Sequence, residues 1–210
     1  MRLWLSFLFI TSVQSVFTFG DTPNTVETLD ISKYIGSWYQ VLYNQFVAKS
    51  KEPDQLCVVV KYVAVDNSSF SSTQYSRRRS PFGSEMKTDA KIVRPDIKDP
   101  GSFQVLVSGA PYPEPYLVIK LGPVNKESGL YEYSVVTDSN AVSLYVYARD
   151  LHKFHHIYKK EVEQFCHDAG FSSYFNQPLE SPQPPPCKYY DDDRERDVVF
   201  EDLPQVMVPP

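Results

Sequence analysis

The chain has 210 residues, 42% of them hydrophobic and 14% aromatic, and a formal net charge of −5. That length and apolar content suit one domain of ordinary size with a single core. The charge balance excludes a nucleic-acid surface, because Arg77-Arg78-Arg79 is the sole basic run and reads as a solvated hairpin tip.

Residues 1–20 carry one early base, Arg2, then an apolar run interrupted by Ser6, Thr11, Ser12, Gln14 and Ser15. A spanning helix takes about 20 mainly apolar residues, so the run reads as a secretory signal cleaved after Ser15 or Gly20. The expectation is a secreted, extracellular protein, with an uncleaved anchor as the alternative. Residues 21–30 are polar and unpatterned, a loose arm. Residues 37–48 form a first strand rich in aromatic and β-branched side chains. Gly36 precedes it with the backbone freedom a tight turn needs, and Trp38 has the bulk to plug an apolar space. Residues 49–55, with Pro53, form a loop long enough to hang over a cavity mouth.

Strand patterns then recur at 56–65, 70–77, 85–93, 103–107, 116–121, 130–137 and 142–149, separated by Pro- and Gly-containing connections. The first of these connections holds Asn67-Ser68-Ser69, a glycosylation acceptor sequence. Eight short strands without crossover helices must either sandwich or close, and eight make a barrel wide enough for one small ligand. Asp150 is a good N-cap, after which Leu151, Phe154, Tyr158, Val162, Phe165 and Ala169 recur at helical steps. Gly170 followed by Phe171 suits a left-handed helix stop. Residues 179–186 form a proline-rich strap leading to Cys187. The domain is therefore placed at 21–187. Residues 188–210, with seven acids and three bases, form an acidic tail with too little apolar content to pack.

Gly36-Ser37-Trp38 on the first strand, with Arg149 ending the last strand just before a helix, resembles the lipocalin signature, in the branch of apolipoprotein D and the bacterial lipocalins. The resemblance covers roughly residues 30–187. It implies an all-β fold, an eight-stranded antiparallel up-and-down barrel open at one end, with one C-terminal flanking helix. It also implies that Arg149 lays its guanidinium on Trp38 at the closed end, a structural contact worth about 0.5–2 kcal/mol. Cys57 and Cys187 match a bridge from the second strand to the C-terminal extension. Cys166 is placed like a small buried hydrophobe, and pairing of Cys166 with Cys187 is the competing arrangement. One departure stands out: the Thr-Asp pair many lipocalins carry between the sixth and seventh strands is replaced by Leu121-Gly122-Pro123, and Thr137-Asp138 falls in the next turn.

For the cavity, Tyr62 and Tyr145 match lining positions of the family. Alternation places Tyr147 and Arg149 on the same face as Tyr145, and Tyr133 and Tyr116 join the set on alternation alone. Fifteen tyrosines against two tryptophans suit a wall that is apolar with polar anchors. His152, His155 and His156 lack an acid or Cys to complete a metal set and read as a wetted helix face. No cofactor, metal or catalytic constellation is expected. The implied function is binding and transport of a small hydrophobic molecule: a fatty acid, sterol, retinoid or pigment. The alternatives are a lipocalin-fold isomerase or de-epoxidase, and a defence or interaction protein acting through tail and loops. A membrane surface or lipoprotein is kept as a second partner, and the oligomeric state is left open.

Overall fold

The computed structural model describes residues 22–189. The expectations for the leader, its cleavage and residues 190–210 lie outside that range. A single helical turn, α1 (Ile31–Tyr34), leads into β1 (Gly36–Asn44). Seven antiparallel strands follow: β2 (Gln55–Ala64), β3 (Ser69–Arg78), β4 (Glu85–Val93), β5 (Ser102–Val107), β6 (Glu114–Leu121), β7 (Tyr133–Thr137) and β8 (Leu144–Ala148). Each pairs with the next, β8 pairs with β1, and β1 pairs with β2, so the eight strands close into a barrel. Closure decides between barrel and sandwich, and it leaves no open edge at this seam's lower half.

Gly36 has φ of 93°, a conformation that side chains with a Cβ adopt only under strain. A Cβ there would also stand 3.1 Å from the Arg149 guanidinium. Both demands select glycine where the chain turns up into β1.

Two apolar layers hold the molecule. The inner one fills the closed half of the barrel with Trp38, Tyr34, Tyr62, Phe70, Phe103 and Tyr116. The outer one lies between the barrel wall and the C-terminal helix, where Val41, Leu42, Val135 and Val146 meet Phe154, Val162 and Cys166. The helix begins with Asp150, whose carboxylate accepts the Lys153 N–H at 2.8 Å. It runs through a short turn, α2 (Leu151–Lys153), one wider π-type turn over Phe154–Tyr158, and α3 (Lys159–Asp168). Gly170, at φ 89°, ends it, and the Phe171 N–H returns to the Cys166 carbonyl at 2.9 Å. Phe171 is then buried against the same outer layer.

Two expectations change. The arm before α1 is tied down: the Val26 N–H donates to the Val118 carbonyl, Thr25 bonds Asp99, and Leu29 is buried in the inner layer. Apolar Val26 and Leu29 reach the closed end of the barrel because α1 lies across it. The strap is also more than a connection. Its start, β9 (Pro178–Glu180), pairs with the upper half of β1, Leu42 opposite Glu180 and Asn44 opposite Pro178.

This ninth strand fills a gap. β1 and β2 pair only from Gly36 opposite Tyr62 to Tyr39 opposite Val59. Above that level β2 bulges between Leu56 and Val59, with Cys57 at φ 55°. The strap enters the opening: Ser181 N–H donates to Val41 O, Cys57 N–H to Pro182 O, and the Gln183 side-chain amide to the carbonyls of Gln40 and Val58. A Cys57–Cys187 disulfide anchors it, which is the arrangement the resemblance implied. Cys166 is a free buried thiol. Tyr189, the second residue of the expected tail, packs edge-on against Tyr39 with ring centroids 4.7 Å apart.

Candidate functional site

The closed end of the barrel is built around Arg149. Its guanidinium carbon lies 3.7 Å from the Trp38 ring centre, and its N–H groups donate to the carbonyls of Ser37, Tyr34 and Ile35 at 2.9, 3.0 and 2.6 Å. Longer bonds reach Lys33 and Tyr131. Burial lowers its pKa to about 10, with partial compensation from Tyr34, Tyr62 and Glu132, so the group stays cationic at neutral pH. The indole N–H of Trp38 donates to the Tyr34 carbonyl at 2.7 Å. One cation therefore stitches α1 and the start of β1 to the end of β8. Nothing reactive is presented to the interior here.

Above this floor Tyr34, fully buried, projects from α1 between Trp38, Tyr62 and Phe70. Its hydroxyl meets those of Tyr116 and Ser134, each at 2.8 Å, and Tyr116 meets Tyr62 at 2.9 Å. The chain of hydroxyls satisfies itself, as buried polar groups must. Burial pushes Tyr34 up to about 12 and drives Tyr62 and Tyr116 well above the ordinary tyrosine value. These phenols stay neutral and rigid.

The open half of the barrel holds a cavity of about 550 Å³, within the usual size range for small-molecule sites. Tyr62 and Tyr116 form its base. Val60, Ala90, Ile92, Val105, Val107 and Val136 line its sides, with Tyr145 and Tyr147 from β8. The rings of Tyr145 and Tyr147 are parallel within 3°, with centroids 6.2 Å apart. Among the described residues their hydroxyls have no hydrogen-bond partner, so they remain free for a ligand. Phe46, Lys51, Glu114 and the β7–β8 turn surround the mouth.

Four of the five expected tyrosines thus line the cavity, in two roles: Tyr62 and Tyr116 as a self-bonded base, Tyr145 and Tyr147 as a wall. Tyr133 does not. It lies on the outer face of β7 beneath the helix, 1% exposed, donating its hydroxyl to Glu161 at 2.9 Å. The correction follows from register: Tyr133 pairs with Ala148, an outward position, and Ser134 with inward Tyr147. Asn67 is exposed in the β2–β3 turn, at the closed end. His152 and His156 stack on the exposed helix surface, 3.9 Å between ring centres, and no metal-holding group of His, Cys, Asp and Glu occurs among the described residues. Burial pushes the Cys166 thiol up to about 12, which leaves it a packing group with little thiolate.

One residue of the site carries no signal in the sequence pattern. The loop after β1 makes a single wide turn, Val47–Lys51, fixed by Asn44: its side chain accepts the Val47 N–H and donates to the Val142 carbonyl. The turn ends where the Glu52 N–H meets the Val47 carbonyl at 2.9 Å. Glu52 is thereby swung inward, 6% exposed, onto the cavity wall. Its two carboxyl oxygens accept from the side-chain amides of Gln40 (2.8 Å) and Gln74 (3.0 Å). Ser181 of the strap donates to the Gln40 oxygen at 2.7 Å, which turns the Gln40 NH₂ toward Glu52. Burial raises the pKa of Glu52, against the opposing effect of those two amide bonds.

A family model described as a lipocalin domain matches residues 27–181. No curated protein matches the chain. Among solved structures, insecticyanin from the tobacco hornworm Manduca sexta is 12% identical with a TM-score of 0.56, over 83% of this chain and 90% of that one. The amine binding protein of Rhodnius prolixus, in its tryptamine complex, is 14% identical with a TM-score of 0.53, over 82% and 91%. Lobster apocrustacyanin A1 is 14% identical with a TM-score of 0.52, over 82% and 96%. At these identities the likeness is one of fold.

Proposed function

The chain belongs to the lipocalin family, and from that premise we propose that it is a secreted carrier that holds a small, largely hydrophobic molecule in the open half of its barrel. The observation that carries this reading is the division of the barrel interior. The closed half is packed solid by aromatic side chains, while the open half keeps a 550 Å³ cavity with apolar sides and two free tyrosine hydroxyls. Binding would draw its free energy from moving apolar surface out of water, and the hydroxyls would orient any polar end. A cargo of about 20 heavy atoms at ordinary efficiency would bind with a Kd of tens of micromolar or tighter. The leader-like run at residues 1–20 supports export, and the Cys57–Cys187 bridge suits an oxidising compartment.

The test is titration with Nile red, a neutral apolar dye whose emission rises on leaving water. Saturable binding at one dye per chain, weakened by Tyr147→Trp, which narrows the cavity, is the expected result. Absence of saturable binding would remove the carrier reading. An isomerase or de-epoxidase remains the competing reading. It would require turnover of a prostanoid or carotenoid that disappears on changing one cavity residue.

A further inference from the structure

A purely apolar cargo leaves Glu52 unexplained. Removing a carboxylate from water costs several kcal/mol unless it is paired, and this fold shows how it pairs one elsewhere. Glu132 is as buried as Glu52, at 6% exposure, and it is held by the Lys153 ammonium and the Asn125 amide. Glu52 has two neutral amides and, among the described residues, no ion-pair partner. The adjacent Lys51 ammonium is taken by Glu114, whose two oxygens it reaches at 2.8 and 2.9 Å. The charged side chains lining the cavity are Lys51, Glu52, Glu114 and Asp138, three acids to one base.

The Glu52 carboxylate is also positioned to bind. Each oxygen accepts one amide N–H and keeps a second lone pair. The Gln40 amide is held in turn by Ser181 of the strap, while Gln74 projects from β3. Tyr145 and Tyr147 line the same cavity, and ring faces attract cations.

Resting on the carrier reading, we propose that Glu52 receives a protonated amine, and that the cargo is a small cationic amphiphile with its ammonium at Glu52 and its apolar body along the valine and tyrosine walls. The ammonium supplies the partner that the fold withholds, and forms charge-assisted hydrogen bonds to the free lone pairs. A fatty acid of the same length would instead bring a second carboxylate into a cavity already acidic, a repulsive arrangement that discriminates against it.

The experiment uses residues 1–210 expressed in a secreting host, with the disulfide intact. Decylamine, decanol and decanoate, which share a chain and differ in head group, are measured by calorimetry and by displacement of Nile red. The amine should bind about 10- to 100-fold more tightly than the alcohol, the range of a hydrogen bond to a charged group, and decanoate more weakly than either. Glu52→Gln should remove the amine's advantage over decanol while Nile red still binds, which shows that the cavity is intact. Equal affinities, or a preference for decanoate, in the unaltered protein would overturn the amine assignment and leave the carrier reading standing. An amine preference that survives in a Glu52→Gln protein that still binds Nile red would overturn it too. Failure of Nile red and all three chains to bind would remove both.

Discussion

Replacing Cys57 and Cys187 together by Ala tests what holds the upper half of the β1–β2 seam shut. The bridge spans 130 residues of sequence, and loop-closure entropy then gives a loss of about 5 kcal/mol on its removal, near the top of the range for native disulfides. Against that stand the bonds that seat the strap without it. They run from Ser181 to Val41, from Cys57 to Pro182, and from Gln183 to Gln40 and Val58. Each contributes about 1 kcal/mol net, so the strap should stay in the seam in the folded protein while the unfolded chain gains its freedom. A loss of that size lowers the Tm of a chain this long by about 10–20 °C. Thermal unfolding followed by circular dichroism reads the Tm, and amide exchange over residues 178–189 reads the strap. A Tm within about 3 °C of the parent, with strap amides protected as before, would refute the loop-closure argument.

Three further outcomes follow from the geometry. Arg149→Met keeps much of the side-chain length but withdraws the donors to the carbonyls around Trp38, so urea unfolding should show a loss of about 3 kcal/mol or more; a loss below about 1 kcal/mol would mean the closed end does not depend on that cation. Tyr133→Phe should cost about 1 kcal/mol through its bond to Glu161 and leave Nile red affinity unchanged; an affinity change would return Tyr133 to the cavity. Burial holds the Glu52 pKa above its ordinary 4.5, so its contribution to stability is full below that value and is lost as pH rises through the folded-state pKa. Glu52→Gln, always neutral, should therefore gain Tm relative to the parent between about pH 4 and pH 8, over which the neighbouring Tyr43, Tyr145 and Tyr147, all shifted upward, stay neutral. A Tm difference independent of pH would show that the carboxyl bears no burial penalty.

The linear pattern by itself determined the order of the strands and the helix with its Asp150 start and Gly170 stop, because those features are periodic or local. The meeting of Trp38 with Arg149 was implied only by the lipocalin resemblance, and the fold brings the two together. Tyr145 and Tyr147 were legible as a pair because, two positions apart on a strand, they share a face whatever the fold around them. What only the tertiary structure decided is which side each face looks to. All five residues of β7 are buried, because the barrel interior covers one side and the helix the other, so alternation there has no polar face to orient it and Tyr133 falls outside. The residues that distinguish the cavity lie where no period exists. Glu52 sits in a loop, and only a turn fixed by Asn44 brings it inward. Gln40 meets it only because a bulge in β2 opens the seam and a strap from more than a hundred residues away fills it. A buried carboxylate reads in sequence like any solvated glutamate, since its cost and its partners are set by neighbours that the chain brings together only on folding.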